Sequence, residues 1–182
     1  MQDSRNVTDE FKRLDHADIV RKLDARGIEL EIAIENLERD FNMGTIVRSA
    51  NAFGVRRVHV IGRRQWNKRG AMATDKYLHV DYFASIDEFV DAMKRDKRTI
   101  IAIDNVDGSV ELSKVTLPSR VVLVFGAEGP GISEELLEKA DQIVAIEQLG
   151  STRSVNVGVA AGIAMYEWLR RHHLQDSSKV IK

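Results

Sequence analysis

Three times along this chain an apolar, strand-like run ends in a cluster of Gly, Asn, Ser, Arg or Glu and then opens into helical spacing. The three islands are residues 36–54 (NLERDFNMGTIVRSANAFG), 121–133 (VVLVFGAEGPGIS) and 146–162 (IEQLGSTRSVNVGVAAG). A strand that turns sharply into a helix is the repeating unit of a parallel sheet, and such turns gather ligand-binding backbone at the carboxyl edge of that sheet. Between the islands, strands alternate with helices and no hairpin signal intervenes. The expectation is an α/β fold with a mostly parallel sheet and helices on both faces.

The pattern predicts strands over 28–34, 55–61, 99–104, 121–125 and 142–146, and helices over 44–53, 86–95, 133–140 and 156–171. Ser85 and Glu88 form a capping box at the start of the second of these helices. Ser133, followed by Glu134 and Glu135, caps the third with a hydroxyl and negative charge. Residues 8–26 have helical spacing (Phe11, Leu14, Ile19, Leu23) with Gly27 as a stop, giving an amphipathic helix outside the core domain. Residues 62–83 read as a long basic loop and 105–119 as turns. The predicted organisation is an N-terminal extension (1–27), one core domain (28–173) and a short tail (174–182).

With 182 residues, 43% of them apolar, the chain can bury one core but not two ordinary ones. Cysteine is absent, which excludes disulfides, thiolate metal sites and a cysteine nucleophile. The five histidines show no metal-ligand spacing. No apolar run approaches the ~18 residues needed to span a bilayer, so a cytoplasmic protein is expected. The net charge of −1 conceals segregation: residues 41–74 hold Arg48, Arg56, Arg57, Arg63, Arg64, Lys68 and Arg69 and no acid. Within it, Arg63, Arg64, Trp66, Lys68 and Arg69 combine cations with an aromatic, as RNA-binding surfaces do, although a solvated charge run is the alternative. Residues 170–173 suggest a second, smaller basic patch.

Gly126 and the glycines that follow it read G-x-x-G-x-G between a strand and a capped helix, where backbone can turn and approach a ligand. Glu147 stands at roughly the ~20-residue distance of a ribose-binding acid, so a dinucleotide-dependent oxidoreductase is one alternative. The glycine order and the elaborate first island argue against it. The third island carries Gly158, Ala160, Ala161, Gly162 and Ala164 on a helix, a composition suited to close packing of another segment.

In order and spacing, the three islands resemble the SpoU or TrmH branch of the SPOUT RNA methyltransferases, from about residue 31 to about residue 171. The resemblance implies a C-terminal trefoil knot, a homodimer, S-adenosylmethionine as cofactor, no catalytic metal, and methyl transfer to a ribose 2′-hydroxyl of RNA. It places Arg48 as the catalytic arginine with Asn42 beside it, Glu128 as the acid of the second motif, and Ser154 and Asn156 as the polar pair of the third. Ile103, Gly126, Ile146, Leu149 and Val155 fall where the cofactor is enclosed. Arg153 is a further candidate for phosphate contact. Where the family commonly has proline after the isoleucine, Glu147 stands here, which could alter the rim of that pocket. A guanidinium stays charged in proteins, so Arg48 is better read as stabilising charge than as accepting a proton. A noncatalytic RNA-binding module on the same fold is the second alternative. Relatives acting on rRNA often carry a separate RNA-binding domain, for which the residues ahead of this domain are too few, so tRNA is favoured over rRNA.

Overall fold

The computed structural model describes residues 5–36, 42–127, 129–152 and 154–174. Among the described residues seven strands form one sheet in the order β3-β2-β1-β6-β4-β7-β5, and every neighbouring pair is parallel. The strands are β1 (Leu30–Asn36), β2 (Arg57–Gly62), β3 (His79–Phe83), β4 (Thr99–Ile103), β5 (Val110–Glu111), β6 (Val121–Phe125) and β7 (Gln142–Ala145). The central strands β1 and β6 are buried along their whole length. Both faces are therefore covered, which is why their sequences read as continuous apolar runs rather than alternating ones.

Helices α2 (Asn42–Ala52) and α5 (Val157–His172) cover one face, where Met43, Ile46, Val47, Ala161, Met165 and Trp168 pack on Ile32, Ile34, Leu123 and Phe125. Helices α3 (Ile86–Arg95) and α4 (Glu134–Lys139) cover the other, with Phe89, Met93 and Leu136 against Ala33, Ala102 and Val124. Of the predicted capping box of α3 the serine half is present, Ser85 Oγ accepting from Glu88 N at 3.2 Å, whereas the Glu88 carboxylate reaches one residue further back and its Oε2 accepts from Ala84 N at 2.9 Å. Ser133 Oγ likewise accepts from Leu136 N at 3.3 Å to start α4.

Three expectations need correction. The N-terminal stretch is not one helix: a 3₁₀ turn (Asp9–Phe11) and α1 (His16–Asp24) are separated where Arg13 adopts φ 68° and Asp15 caps α1 by accepting from Asp18 N at 2.7 Å. The apolar spacing nonetheless works, since Phe11, Ile19 and Leu23 are buried together with Tyr77. The presumed loop before residue 83 contains two 3₁₀ turns (Lys68–Ala71 and Thr74–Tyr77) and strand β3 at the sheet edge. The turn-rich stretch after residue 104 contains the two-residue β5, which lies beside β7.

The predicted C-terminal basic patch is engaged within the molecule. Glu167 pairs with Arg170 at 2.8 Å and Arg171 at 2.7 Å, and Arg171 also donates to the carbonyls of Val115 (2.5 Å) and Leu112 (2.7 Å). Trp168 Nε1 donates to Pro118 O at 2.9 Å, so the end of α5 clasps the segment leading into β6. Hydrogen bonding from Arg170 is the largest influence on Glu167; with Arg171 it outweighs partial burial and lowers the carboxyl from 4.5 to about 2. A depressed folded value stabilises above the unfolded value and loses that contribution as pH falls through the folded one. Glu167→Gln is therefore expected to cost on the order of 1 kcal/mol at pH 7, the scale of partly exposed ion pairs. In urea unfolding series the difference from wild type should shrink between about pH 4.5 and pH 2; a pH-independent difference would contradict the pairing.

Candidate functional site

The carboxyl ends of β4, β6 and β7 open into a cavity of about 380 Å³, lined among others by Ile103, Gly126, Ile146, Ser154, Val155 and Asn156. Its size lies within the range of small-molecule sites. The three strands come from distant parts of the sequence, and the second and third islands meet only because the sheet places β4 between β6 and β7. The glycine loop after β6 is folded back on itself, with Ala127 N donating to Gly131 O at 3.2 Å and Gly131 N to Ala127 O at 3.1 Å. A Cβ at Gly126 would overlap the carbonyl group of Gly131 and the nitrogen of Ile132. Glycine there is a requirement of the backbone's close approach to itself. Of the residues expected around a cofactor, Ile103, Gly126, Ile146 and Val155 line the cavity, whereas Leu149 does not and is fully exposed. Glu128 and Arg153 lie outside the described residues.

The first island is joined to the third by side chains. Asn156 Oδ1 accepts from Gly158 N (3.0 Å) and Val159 N (3.3 Å), capping α5, while its Nδ2 donates to Asn42 Oδ1 at 3.1 Å. One amide thus serves as a helix cap and as a link to the start of α2. The two helices then run side by side: a Cβ at Gly158 would lie 3.0 Å from Thr45 Cγ2, and Phe53 meets Tyr166 further along, with ring centroids 6.1 Å apart. Close packing was expected for both glycines of α5, and it holds for Gly158; Gly162 has open space beside it. Arg48 projects from α2 into solvent, makes no hydrogen bond or ion pair among the described residues, and does not line the cavity.

The basic loop packs beside the first turn of α2. A Cβ at Gly44 would fall 2.7 Å from Ala71 N, and one at Gly70 would fall 3.1 Å from Thr45 N, so two glycines bring the backbones together. Asn36, the last residue of β1, holds the start of the loop by donating to the carbonyls of Arg63 (2.5 Å) and Gln65 (3.1 Å). Arg63, Arg64, Lys68 and Arg69 are exposed. Lys68 pairs with Asp75 at 2.8 Å and lies over Trp66, which is itself packed against the core, and Arg64 lies over the ring of Tyr82. The rest of the cationic segment is less available than its composition suggests: Arg56 is buried on Asp24 and the Tyr77 carbonyl, and Arg57 pairs with Asp81.

Glu147, the acid that suggested a dinucleotide site, accepts from Ser113 N at 2.9 Å and does not line the cavity. Hydrogen bonding from Ser113 holds its carboxyl below the usual range. Sequence reading missed Asp104, Asn105 and Gln148, all of which line the cavity. The polar pair immediately after the fourth strand was the available signal for the first two. Among the described residues no cluster of three or more metal-ligating side chains forms, and no helix is long and apolar enough to cross a membrane.

Residues 29–166 match the model of the SpoU rRNA Methylase family. The chain is 29% identical over 171 residues to a tRNA (guanosine(18)-2'-O)-methyltransferase of Borreliella burgdorferi, covering 92% of this chain and 77% of that protein. Its fold superposes with a TM-score of 0.77 on the TrmH/SpoU tRNA modifying enzyme of A. aeolicus, at 26% identity, covering 88% of this chain and 83% of that one. An AdoMet bound rRNA methyltransferase from Sinorhizobium meliloti gives a TM-score of 0.71 at 26% identity, covering 80% of this chain but 57% of that one.

Proposed function

The chain belongs to the SpoU rRNA Methylase family, and from that membership we propose that it transfers a methyl group from S-adenosylmethionine to a ribose 2′-hydroxyl of RNA, tRNA being favoured over rRNA. The observation that supports this reading most is the convergence of the glycine loop, Ile146 and the Ser154 to Asn156 segment on one cavity, with Asn156 bonded to Asn42 at the start of the helix that carries Arg48. The glycine cradle suits a ligand that backbone must approach closely, and Ile103, Ile146 and Val155 offer apolar walls for an adenosine. When bound, S-adenosylmethionine supplies a sulfonium-activated methyl group. The preference for tRNA is supported by the relative named as a tRNA (guanosine(18)-2'-O)-methyltransferase, 77% of whose length this chain covers.

The protein's part in the reaction is positioning and charge stabilisation. Arg48, unpaired among the described residues, donates to the ribose oxygen or the adjoining phosphate as negative charge develops, while the hydroxyl proton passes to phosphate or water. Asn42 and Asn156 hold the first turns of α2 and α5 together, so the arginine's helix keeps its place beside the cavity. Glu128 is retained in this proposal as the acid of the second motif.

The active form proposed is a homodimer. Val159, Ile163 and Tyr166 present exposed apolar surface on α5, and Gly162 between them leaves room for a close neighbour. In such a dimer Ser154 of one subunit supports Arg48 of the other. The trefoil knot implied by the family belongs to the same proposal, as does the division into an N-terminal extension, a methyltransferase domain and a tail.

Calorimetry with S-adenosylmethionine, S-adenosylhomocysteine and NAD tests the site. Binding of the first two and not the third is expected; tight NAD binding with no response to the methyl donor would sink the assignment. The basic loop has its own test. Replacing Arg63, Arg64 and Arg69 together should weaken RNA binding and reduce the logarithmic salt slope by about 2, at ~0.7 for each phosphate contact to single-stranded RNA. Lys68 should add less, because Asp75 already engages it. An unchanged slope would leave the loop as solvated charge.

A further inference from the structure

Because β6 lies between β1 and β4, the glycine loop that follows it emerges between the carboxyl ends of two neighbouring strands. Each of those ends sends a carboxylate to it. Asp104, one residue past β4, accepts from Ile132 N at 2.9 Å through Oδ2 and from Asn105 N at 2.8 Å through Oδ1. Glu35, on β1, accepts from Ser133 N at 2.8 Å and from Ser133 Oγ at 2.6 Å. The two amides are consecutive, and they close the loop whose Gly126, Ala127, Gly129 and Gly131 line the cavity.

The arrangement is specific in its demands. Glu35 is 1% exposed, and a carboxylate is costly to bury unless its oxygens are bonded; here both are. Gly131 has φ 74°, and a Cβ on it would stand 2.7 Å from Asp104 Oδ2, so the missing side chain is what leaves the carboxylate its route to Ile132 N. Asp104 is also part of the cavity wall, so any displacement of it is felt where the ligand sits.

We propose that Asp104 and Glu35 clamp the end of the glycine loop from the two flanking strands, and that Asp104 is thereby a positioning residue for cofactor binding. The inference rests on the methyltransferase reading for the identity of the ligand, but the clamp itself is a property of the free protein. Its chemistry is asymmetric. Both partners of Asp104 are backbone N–H groups, which can only donate, so an asparagine would turn an NH₂ toward one of them. Glu35 faces one amide and one hydroxyl, and a glutamine can accept from the amide while donating to the hydroxyl.

Hydrogen exchange on the ligand-free protein and calorimetry with S-adenosylmethionine test this together. Asp104→Asn is expected to speed exchange of the amides of residues 126–133 and to raise the Kd roughly tenfold or more, the scale of turning a donor toward a part-buried amide that had an acceptor. At saturating cofactor, kcat should stay within about threefold of wild type, and the Kd for RNA should not move. Glu35→Gln should produce the smaller loss of the two. Asp104→Ser, able to accept from one amide, should fall between wild type and Asp104→Asn. Wild-type exchange and affinity in Asp104→Asn would overturn the proposal, as would a parallel fall of Tm, kcat and affinity, which marks general destabilisation. Failure of the wild type to bind S-adenosylmethionine would sink the methyltransferase reading, while the exchange comparison would still decide the clamp.

Discussion

Replacing Arg48 by alanine is expected to lower the single-turnover rate of methyl transfer by roughly 10²-fold or more, about 2.7 kcal/mol of lost transition-state stabilisation. The expectation follows from an exposed guanidinium with no partner among the described residues, on a helix whose first residue is bonded to the cavity wall through Asn156. An exposed side chain with no hydrogen bond or ion pair among the described residues can be removed without unfolding the protein, so the loss should appear in turnover while S-adenosylmethionine affinity and the oligomeric state remain. Arg48→Lys should not restore the rate, because an ammonium lacks the planar fork that engages two oxygens at once. Near-normal rates in a folded Arg48→Ala protein of unchanged oligomeric state would make the arginine a surface residue.

Gly126→Ala is expected to abolish measurable cofactor binding. The added Cβ would overlap the Gly131 carbonyl and the Ile132 nitrogen, and both are backbone, so no side chain can rotate away. Relief requires opening the Ala127 to Gly131 bridge and shifting the amides held by Asp104 and Glu35. Overpacking of this kind costs typically ~1–3 kcal/mol and more where backbone must move. Since the strain is confined to the cavity rim, calorimetry should lose its signal while circular dichroism keeps the α/β spectrum. Retained micromolar affinity would show that the loop adapts freely and that its closeness has no bearing on the ligand.

The parts of the fold legible in sequence are those whose physics is local or fully buried. Helix α3 has its predicted start because Ser85 accepts from an amide of its first turn and Glu88 holds the amide of Ala84 just before it, and β6 has its predicted ends because both faces of VVLVF are covered. Strand β3 was illegible for the converse reason. His79–Phe83 is only partly buried at the sheet edge, and its pairing with β2 depends on a crossover that sequence periodicity does not encode. The same division runs through the site. Gly126, Ile146 and Asn156 were marked by the turns that contain them, but Asp104 and Glu35 act across 28 and 98 residues of sequence on Ile132 and Ser133. Leu149 follows the right strand yet points into solvent. The charge segregation was real in composition, but which cations stay available depended on partners: Asp24 and Asp81 lie 32 and 24 residues from the arginines they engage, so only the fold pairs them, whereas Asp75 is seven residues from Lys68.

The most direct measurement is methyl transfer itself: purified protein, S-adenosylmethionine carrying a labelled methyl group, and unmodified tRNA and rRNA transcripts, followed by digestion and mass spectrometry of the nucleosides. The label is predicted to appear in a 2′-O-methylated nucleoside, from tRNA in preference to rRNA, and to be lost with Arg48→Ala. Label on a base, or no transfer to any RNA by a protein that binds S-adenosylmethionine, would contradict ribose 2′-O-methylation as the activity of this site.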